Sequence, residues 1–354
     1  MSISDNNFKL RVMQPSDSDA VASLITEFEG DMTTRFLVDS YAAITSGTEY
    51  PTLGVVVECA GHDGFVGMGT VRFNKVQHNG EILPHAFLDG LKVHKDFRRQ
   101  GLGYKIAEWR IQQAKETYGD KCVIATGMLQ ENTASYAVAK KWCREFVEPA
   151  FDVLIVPTRR QQPKKLAGII VRELEPKGYE EFAAKQNRFY QHYNLYPVSD
   201  ANSIANARNL SVEGRKPYRF FGATDSRGNL LAGARTWARG ILKSDTINNP
   251  PAPLRILNSV MHLLPSDFTI RDIAVSGLWY EPNQIHVAQF LWEMIRWEGR
   301  VQGTTIAAAF DPRDPTRQVV MLRPWNQPRP KITIAIQGLN AINREKLLFS
   351  AGRV

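Results

Sequence analysis

The run Arg98-Arg99-Gln100-Gly101-Leu102-Gly103-Tyr104 joins two guanidinium groups to two glycines where a strand pattern gives way to a helix pattern. Such a turn is an anion trap. The first amides of a helix have no partner inside it, and the helix dipole adds partial positive charge there. Glycines at 101 and 103 would let a diphosphate approach the backbone closely. The forked donors of Arg98 and Arg99 suit phosphate oxygens. The spacing is RxxGxG, which is neither the GxxxxGK[ST] of a P-loop nor the GxGxxG of a dinucleotide-binding turn.

The elements that must position this turn follow from periodicity. Residues 8–13 read as a strand, and Pro15-Ser16-Asp17 signals the start of a helix over 20–28. A short helix is expected at 36–44. Strands at 51–59 and 64–73 pair through the turn at 61–64. A strand at 85–93 feeds the basic turn, which opens a helix over 102–117 carrying Ile106, Ala107, Trp109, Arg110 and Ala114. A strand at 123–128, a helix at 132–143 and a strand at 151–156 complete this half. His94 reads as a surface residue beside the loop.

In this setting the stretch Val93-His94-x-x-Phe97-Arg98-x-Gln100-Gly101-x-Gly103 resembles the pyrophosphate-binding loop of the GNAT family of N-acetyltransferases. The likeness spans residues 8–157. It implies an α/β (α+β) GNAT fold, a mixed, mostly antiparallel sheet flanked by helices, and acetyl-CoA as the acyl donor with no metal. By that likeness Arg98 and the amides of Arg99, Gln100, Gly101, Leu102, Gly103 and Tyr104 hold the diphosphate of coenzyme A. The backbone N–H of Leu91 or Val93 donates to the developing oxyanion. Asn132 and Ser135, at the head of the helix after a splayed strand, lie near the pantetheine arm, although Asn is also a standard N-cap. The family often has a tyrosine as general acid where this chain has Ala139. Tyr136, one turn earlier, is the candidate substitute and equally reads as a packing aromatic. A thiol of pKa about 8.5 can leave without it.

Acyl transfer to an amine requires a neutral amine and a group that accepts its proton. Asp89, on the strand that feeds the loop, is the first candidate base and His85 the second; with Phe87 they share one strand face. Glu27, Glu29 and Asp31, ending the first helix, could attract a cationic acceptor or simply be a solvated helix end. The acceptor is expected to be an amine of a small molecule or a protein. The alternative is a CoA-binding regulator whose chemistry is lost, with Ala139 as its mark.

The basic, proline-containing segment 158–166 reads as a linker between a first unit at 1–157 and a second at 167–354. Beyond it the element order restarts: strand 169–174, helix 178–190, strands 218–224, 229–237 and 268–280, helix 284–297, then strands 304–310, 319–322 and 331–337. This is the expectation of a degenerate second GNAT-like domain. Its matching passage, Ile273 to Gln284, has no RxxGxG, and Glu281 would repel a diphosphate, so a second CoA site is not expected. The stripe Phe290, Leu291, Met294, Ile295 and Trp297 reads as core. Tyr190, His192, Tyr193 and Tyr196 could line an acceptor pocket or pack a loop. Asn132-x-Ala-Ser, the segment 151–157 and Pro324-Trp325-Asn326 are similar to the hookless-type acetyltransferase-like proteins of plants, which implies the same two-part architecture.

Composition sets the outer limits. The 354 residues, 43% apolar and 23% charged, suffice for two packed units. The formal charge of +8 is spread along the chain without a basic helix or RNA-binding signature, so nucleic acid is not expected as a partner. No apolar run reaches the roughly 18 residues of a membrane span, and no secretory signal opens the chain. Cys59, Cys122 and Cys143 form no CxxC pair, which fits a reducing compartment and a cytoplasmic location. Oligomeric state is left open, a homodimer included.

Overall fold

The computed structural model describes residues 7–28, 32–261, 264–320 and 330–350. Glu29, Asp31, the side chain of Glu27, and Pro324 to Asn326 lie outside what it describes. The first half runs β1 (Phe8–Val12), α1 (Ser18–Phe28), β2 (Met32–Phe36), α2 (Ser40–Thr45), β3 (Thr52–Cys59), β4 (Gly67–His78), β5 (Glu81–Val93), α3 (Leu102–Tyr118), β6 (Val123–Leu129), α4 (Thr133–Ala139) and β7 (Glu145–Pro157). After an irregular stretch come β8 (Ile170–Glu173), α5 (Tyr179–Phe189), α6 (Ala201–Asn209), β9 (Tyr218–Thr224), β10 (Leu230–Trp237) and β11 (Lys243–Ile247). Then follow α7 (Ala252–Met261), β12 (Thr269–Ile270), β13 (Asp272–Tyr280), α8 (Ile285–Glu298), β14 (Thr305–Phe310) and β15 (Lys331–Gln337).

The local chemistry explains these elements. Val55, Val56 and Val57 of β3 are fully buried, as expected of β-branched residues in a strand covered on both faces. In α3 the buried side chains Leu102, Ile106, Ala107, Arg110 and Ala114 recur at helical spacing. In α8 the buried stripe is Val287, Ala288, Leu291, Trp292 and Ile295.

Twelve strands form one continuous sheet in the order β1-β3-β4-β5-β6-β15-β7-β14-β13-β10-β9-β8. Its parallel neighbours are β5 with β6 and β13 with β14; the rest are antiparallel. The C-terminal strand β15 lies between β6 and β7, while β7 pairs on its other edge with β14. Each half thus lends a strand to the other.

The two halves repeat one plan. Each has a bulge at the matching place, with Gly90 at φ 62° in β5 and Gly277 at φ 59° in β13. They differ in the connection that follows: residues 94–101 join β5 to α3, but only 281–284 join β13 to α8. The second half therefore lacks room for a phosphate-binding turn, and its Glu281 pairs with Lys185.

Some local expectations shift. The helix expected at 36–44 is α2 and begins only at Ser40; residues 32–36, of which only the last fell in that helix, are strand because they pair with β11 of the second half. Val319 and Val320 form no strand; they follow a tight turn at Pro315–Gln318 and are buried. His94 is buried, not superficial, between the rings of His62 and Phe97.

Candidate active site

Strands β5 and β6 pair only from His85↔Val123 to Phe87↔Ala125. At the next step the Thr126 hydroxyl donates to the Leu88 carbonyl at 2.7 Å, and beyond it the strands part. From there β5 stays with β4 and β6 stays with β15. The opening is a cavity of about 310 Å³ walled by Leu88 to Lys92 on one side and Thr126 to Leu129 on the other. Ser135, Ala139 and Trp142 cover one end, and Trp237 and Arg239 of the second half reach its other wall.

The basic turn follows β5, and Gly103 at its end lies against Leu91 and Val138 of the cleft wall. Arg99 and Gly101 both have positive φ, 64° and 79°. Gly101 is the N-cap of α3 with no side-chain cap, and the amides of Tyr104 and Lys105 already bond its carbonyl. The preceding amides are those a helix start leaves open. The two glycines differ in role. A Cβ at Gly101 would meet nothing within 4 Å, whereas one at Gly103 would press on Val138 at 3.2 Å. Gly101 borders open space, and Gly103 lets α4 pack against α3. Arg98, Arg99 and Gln100 are exposed, with Arg98 Nε donating to the Val93 carbonyl at 3.2 Å. Leu102 is buried, so only its backbone faces the turn.

Of the residues expected near the thioester, Leu91, Asn132 and Ser135 line the cleft, and Val93 packs beside Gly103. Asn132 Oδ1 caps α4 by accepting from the Ser135 amide at 3.0 Å. Tyr136 is not among the lining residues; it stacks on Phe146 with centroids 4.2 Å apart. Ala139 is buried in the wall, so no phenol projects from that position.

Asp89 lines the cleft, and its carboxylate pairs with the guanidinium of Arg72 and accepts from the Gly90 amide at 2.8 Å. Burial pushes this carboxyl up, but Arg72, the Gly90 amide, Arg239 and Arg110 together hold it below the usual range. The bulge itself is fixed from beneath. Buried Arg110 donates to the carbonyls of Asp89 at 2.9 Å and Thr70 at 3.2 Å, and the Thr70 hydroxyl adds a bond to Asp89 O. Burial lowers the Arg110 pKa to about 10, still cationic at neutral pH.

Arg72 also borders a second cavity of about 70 Å³, which shares Phe87 and Ile332 with the cleft. His85 lines this chamber. With the Asn74 carbonyl oxygen 2.7 Å from Nδ1, that nitrogen carries the proton. Nε2 has no partner among the described residues, and neither do Nε and Nη1 of Arg72. Burial, helped by His78, drives the His85 pKa down to about 3, so the ring is neutral. A third cavity, of about 300 Å³, adjoins through Tyr50, Asn74, Pro197 and Phe349. Tyr196 lines it, while Tyr190 and Tyr193 are core.

Sequence reasoning missed Arg72, Arg110 and Arg239. The available signal was Arg72 inside the apolar run Met68 to Phe73 and Arg110 among the buried positions of α3; Arg239 offered none. Among the described residues no group of three or more His, Cys, Asp or Glu side chains is placed to hold a metal ion, and no helix is long and apolar enough to cross a membrane.

Residues 22–143 match the family model of the acetyltransferase (GNAT) family. No curated protein sequence matches the chain. N-myristoyltransferase of Saccharomyces cerevisiae with bound myristoyl-CoA superposes with a TM-score of 0.66 at 10% identity, over 99% of this chain and 90% of that one. A GCN5-related N-acetyltransferase from Sphaerobacter thermophilus gives 0.58 at 13% identity, over 98% and 100%. A tandem GNAT protein from the clavulanic acid biosynthesis pathway gives 0.58 at 14%, over 94% and 100%. At these identities the structures establish the fold, which is that of two GNAT-like halves.

Proposed function

We propose that this chain, whose residues 22–143 match the model of the GNAT acetyltransferase family, transfers an acetyl group from acetyl-CoA to a primary amine by direct attack. The observation that carries the reading is the junction of an open-amide basic turn with the cleft where β5 and β6 part. Arg98, Arg99 and the amides from Arg99 to Gly103 would hold the diphosphate of the donor, leaving its thioester beside Asp89 to Leu91; the Tyr104 amide, expected to join them, is already taken by the Gly101 carbonyl.

The surroundings of Asp89 suit a neutral nucleophile. Arg72, Arg110 and Arg239 all act on it, and cationic neighbours lower the pKa of an incoming amine. The amine lone pair attacks the thioester carbonyl, the N–C bond forms and the C–S bond breaks. The proton shed by nitrogen passes to Asp89, a weak base but sufficient for the strongly acidic N–H of the tetrahedral adduct. The CoA thiolate leaves and takes a proton from solvent, consistent with the absence of a phenol at Ala139. The Leu91 amide, beside the bulge, would donate to the oxyanion.

A thiol-release assay with acetyl-CoA and a panel of amines tests this reading. Asp89→Asn should lower kcat by about 100-fold or more while CoA affinity, read by calorimetry, stays within a factor of a few. CoA binding with no thiol release for any amine would favour a regulator instead.

A further inference from the structure

The peptide between Asp89 and Gly90, at the bulge of β5, is gripped at both ends. Its carbonyl accepts from Arg110 Nη1 at 2.9 Å and from the Thr70 hydroxyl at 3.1 Å. Its amide donates to Oδ1 of the Asp89 side chain at 2.8 Å. A trans peptide is planar, and its C=O and N–H point in opposite directions. A carbonyl held towards α3 therefore turns the N–H away from α3 and onto the carboxylate. Gly90 sits at φ 62° and has no Cβ to restrain the peptide from turning over, so the restraint must come from its partners.

Arg110 is placed to supply it. The residue is 2% exposed, and its guanidinium is fixed by further bonds to the Ile106 and Thr70 carbonyls, both at 3.2 Å. It reaches the bulge because residue 69 of β4 is glycine: a Cβ there would lie 3.0 Å from Arg110 Cζ and 2.9 Å from Ile106 Cγ2. The bulge of the second half makes a comparison. It has Ser276 and Gly277 in place of Asp89 and Gly90, and the Gly277 carbonyl accepts from the neutral amide of Gln186 at 3.0 Å. Arg235 there bonds the Ser276 hydroxyl and not a carbonyl of the bulge. The cationic tie to the bulge backbone goes with the half that has the carboxylate.

We propose that Arg110 is a positioning residue for acyl transfer: by holding the Asp89 carbonyl it sets the Gly90 amide on the Asp89 carboxylate and keeps that carboxylate turned to the reacting amine. The inference rests on the acyltransferase reading, in which Asp89 takes the proton. Burial raises the Asp89 pKa, while Arg72 of β4, the Gly90 amide, Arg239 of the second half and Arg110 lower it. Lys92 of the same strand also lines the cleft, and β6 brings no titratable group.

The test is thiol release from acetyl-CoA, with the best amine of the panel, by Arg110→Met and Arg110→Lys. The methionine removes charge and donors together. Its kcat should fall about 10- to 100-fold, the effect of losing hydrogen bonds from a charged group, while the amine KM and the calorimetric CoA affinity stay within a few-fold. The acidic limb of kcat/KM should move to higher pH, because a cation that lowers the Asp89 carboxyl is gone. The lysine should recover most of kcat and bring the limb back. An unchanged kcat in Arg110→Met, a parallel loss of CoA affinity with the limb unmoved, or a lysine variant no better than the methionine would overturn the inference and leave the acyltransferase reading standing. Should Arg110→Met not fold, Thr70→Val removes the other side-chain bond to the same carbonyl. Its kcat should fall a few-fold at unaltered CoA affinity, and an unchanged kcat would again overturn the inference. Wild-type protein that released no thiol with any amine would instead strike the acyltransferase reading, and this inference with it.

Discussion

A buried imidazole with one free nitrogen makes a sharp prediction about acid. His85 is neutral in the fold, with a pKa near 3 set first by burial, against about 6.5 in an unfolded chain. Its contribution is therefore complete above pH 6.5 and is lost as pH falls from 6.5 towards 3, because the unfolded state takes up the proton and the folded state does not. The slope from this one group approaches about 1.4 kcal/mol per pH unit in that window. Urea denaturation of wild type and His85→Gln between pH 7 and 4.5 measures it: the variant should lose stability less steeply with falling pH. Parallel slopes would show that the ring is solvated. Arg72 and Arg110 make the related point that buried cations in this half face carbonyls and one carboxylate rather than solvent.

At the level of elements, β15 decides how the halves are joined. Ile334 is 3% exposed and packs in the cluster that includes Val123, Ala125 and Phe151. Ile334→Ala should cost about 2–5 kcal/mol, and because β15 bonds both β6 and β7, the whole sheet should melt in one transition shifted as a unit. Two transitions, with only one displaced, would mean the halves fold apart. The placement of β15 was not legible in the sequence. Residues 331–337 alternate as any strand does, but their partners at 124–129 and 145–152 are remote in the chain, and periodicity carries no pairing information. The same holds for 32–36, whose partner is β11. By contrast the turn at 98–103 was legible in full, because strand, bend and helix start are local signals. Asp89 could be placed on its strand and Asn132 at its helix start for the same reason. Arg72 escaped notice because its meaning depends on Asp89 across the ladder and on walls brought from the tail at Phe349.

Across the whole molecule, three adjoining chambers run from the cleft between β5 and β6 to the junction of the halves. The cleft between β5 and β6 shares Arg72 with the apolar chamber, which shares Asn74 and Phe349 with the polar cavity between Glu49 and Arg235. The second half keeps the bulge at Gly277 but has lost the long turn, and its aromatic core supplies walls instead of a second donor site. The positive charge of the chain, +8, suits an anionic donor. All of this depends on the diphosphate being held at Gly101. Calorimetric titration of CoA into wild type and Gly101→Val tests that directly. A side chain there meets open space but must adopt a φ of 79°, which costs a β-branched residue roughly 1–2 kcal/mol and fills the approach to the amides. The account predicts clear binding to wild type and a loss of about tenfold or more in the variant, with the melting temperature little changed. Failure of CoA to bind wild type, or equal affinity in both proteins, would contradict it.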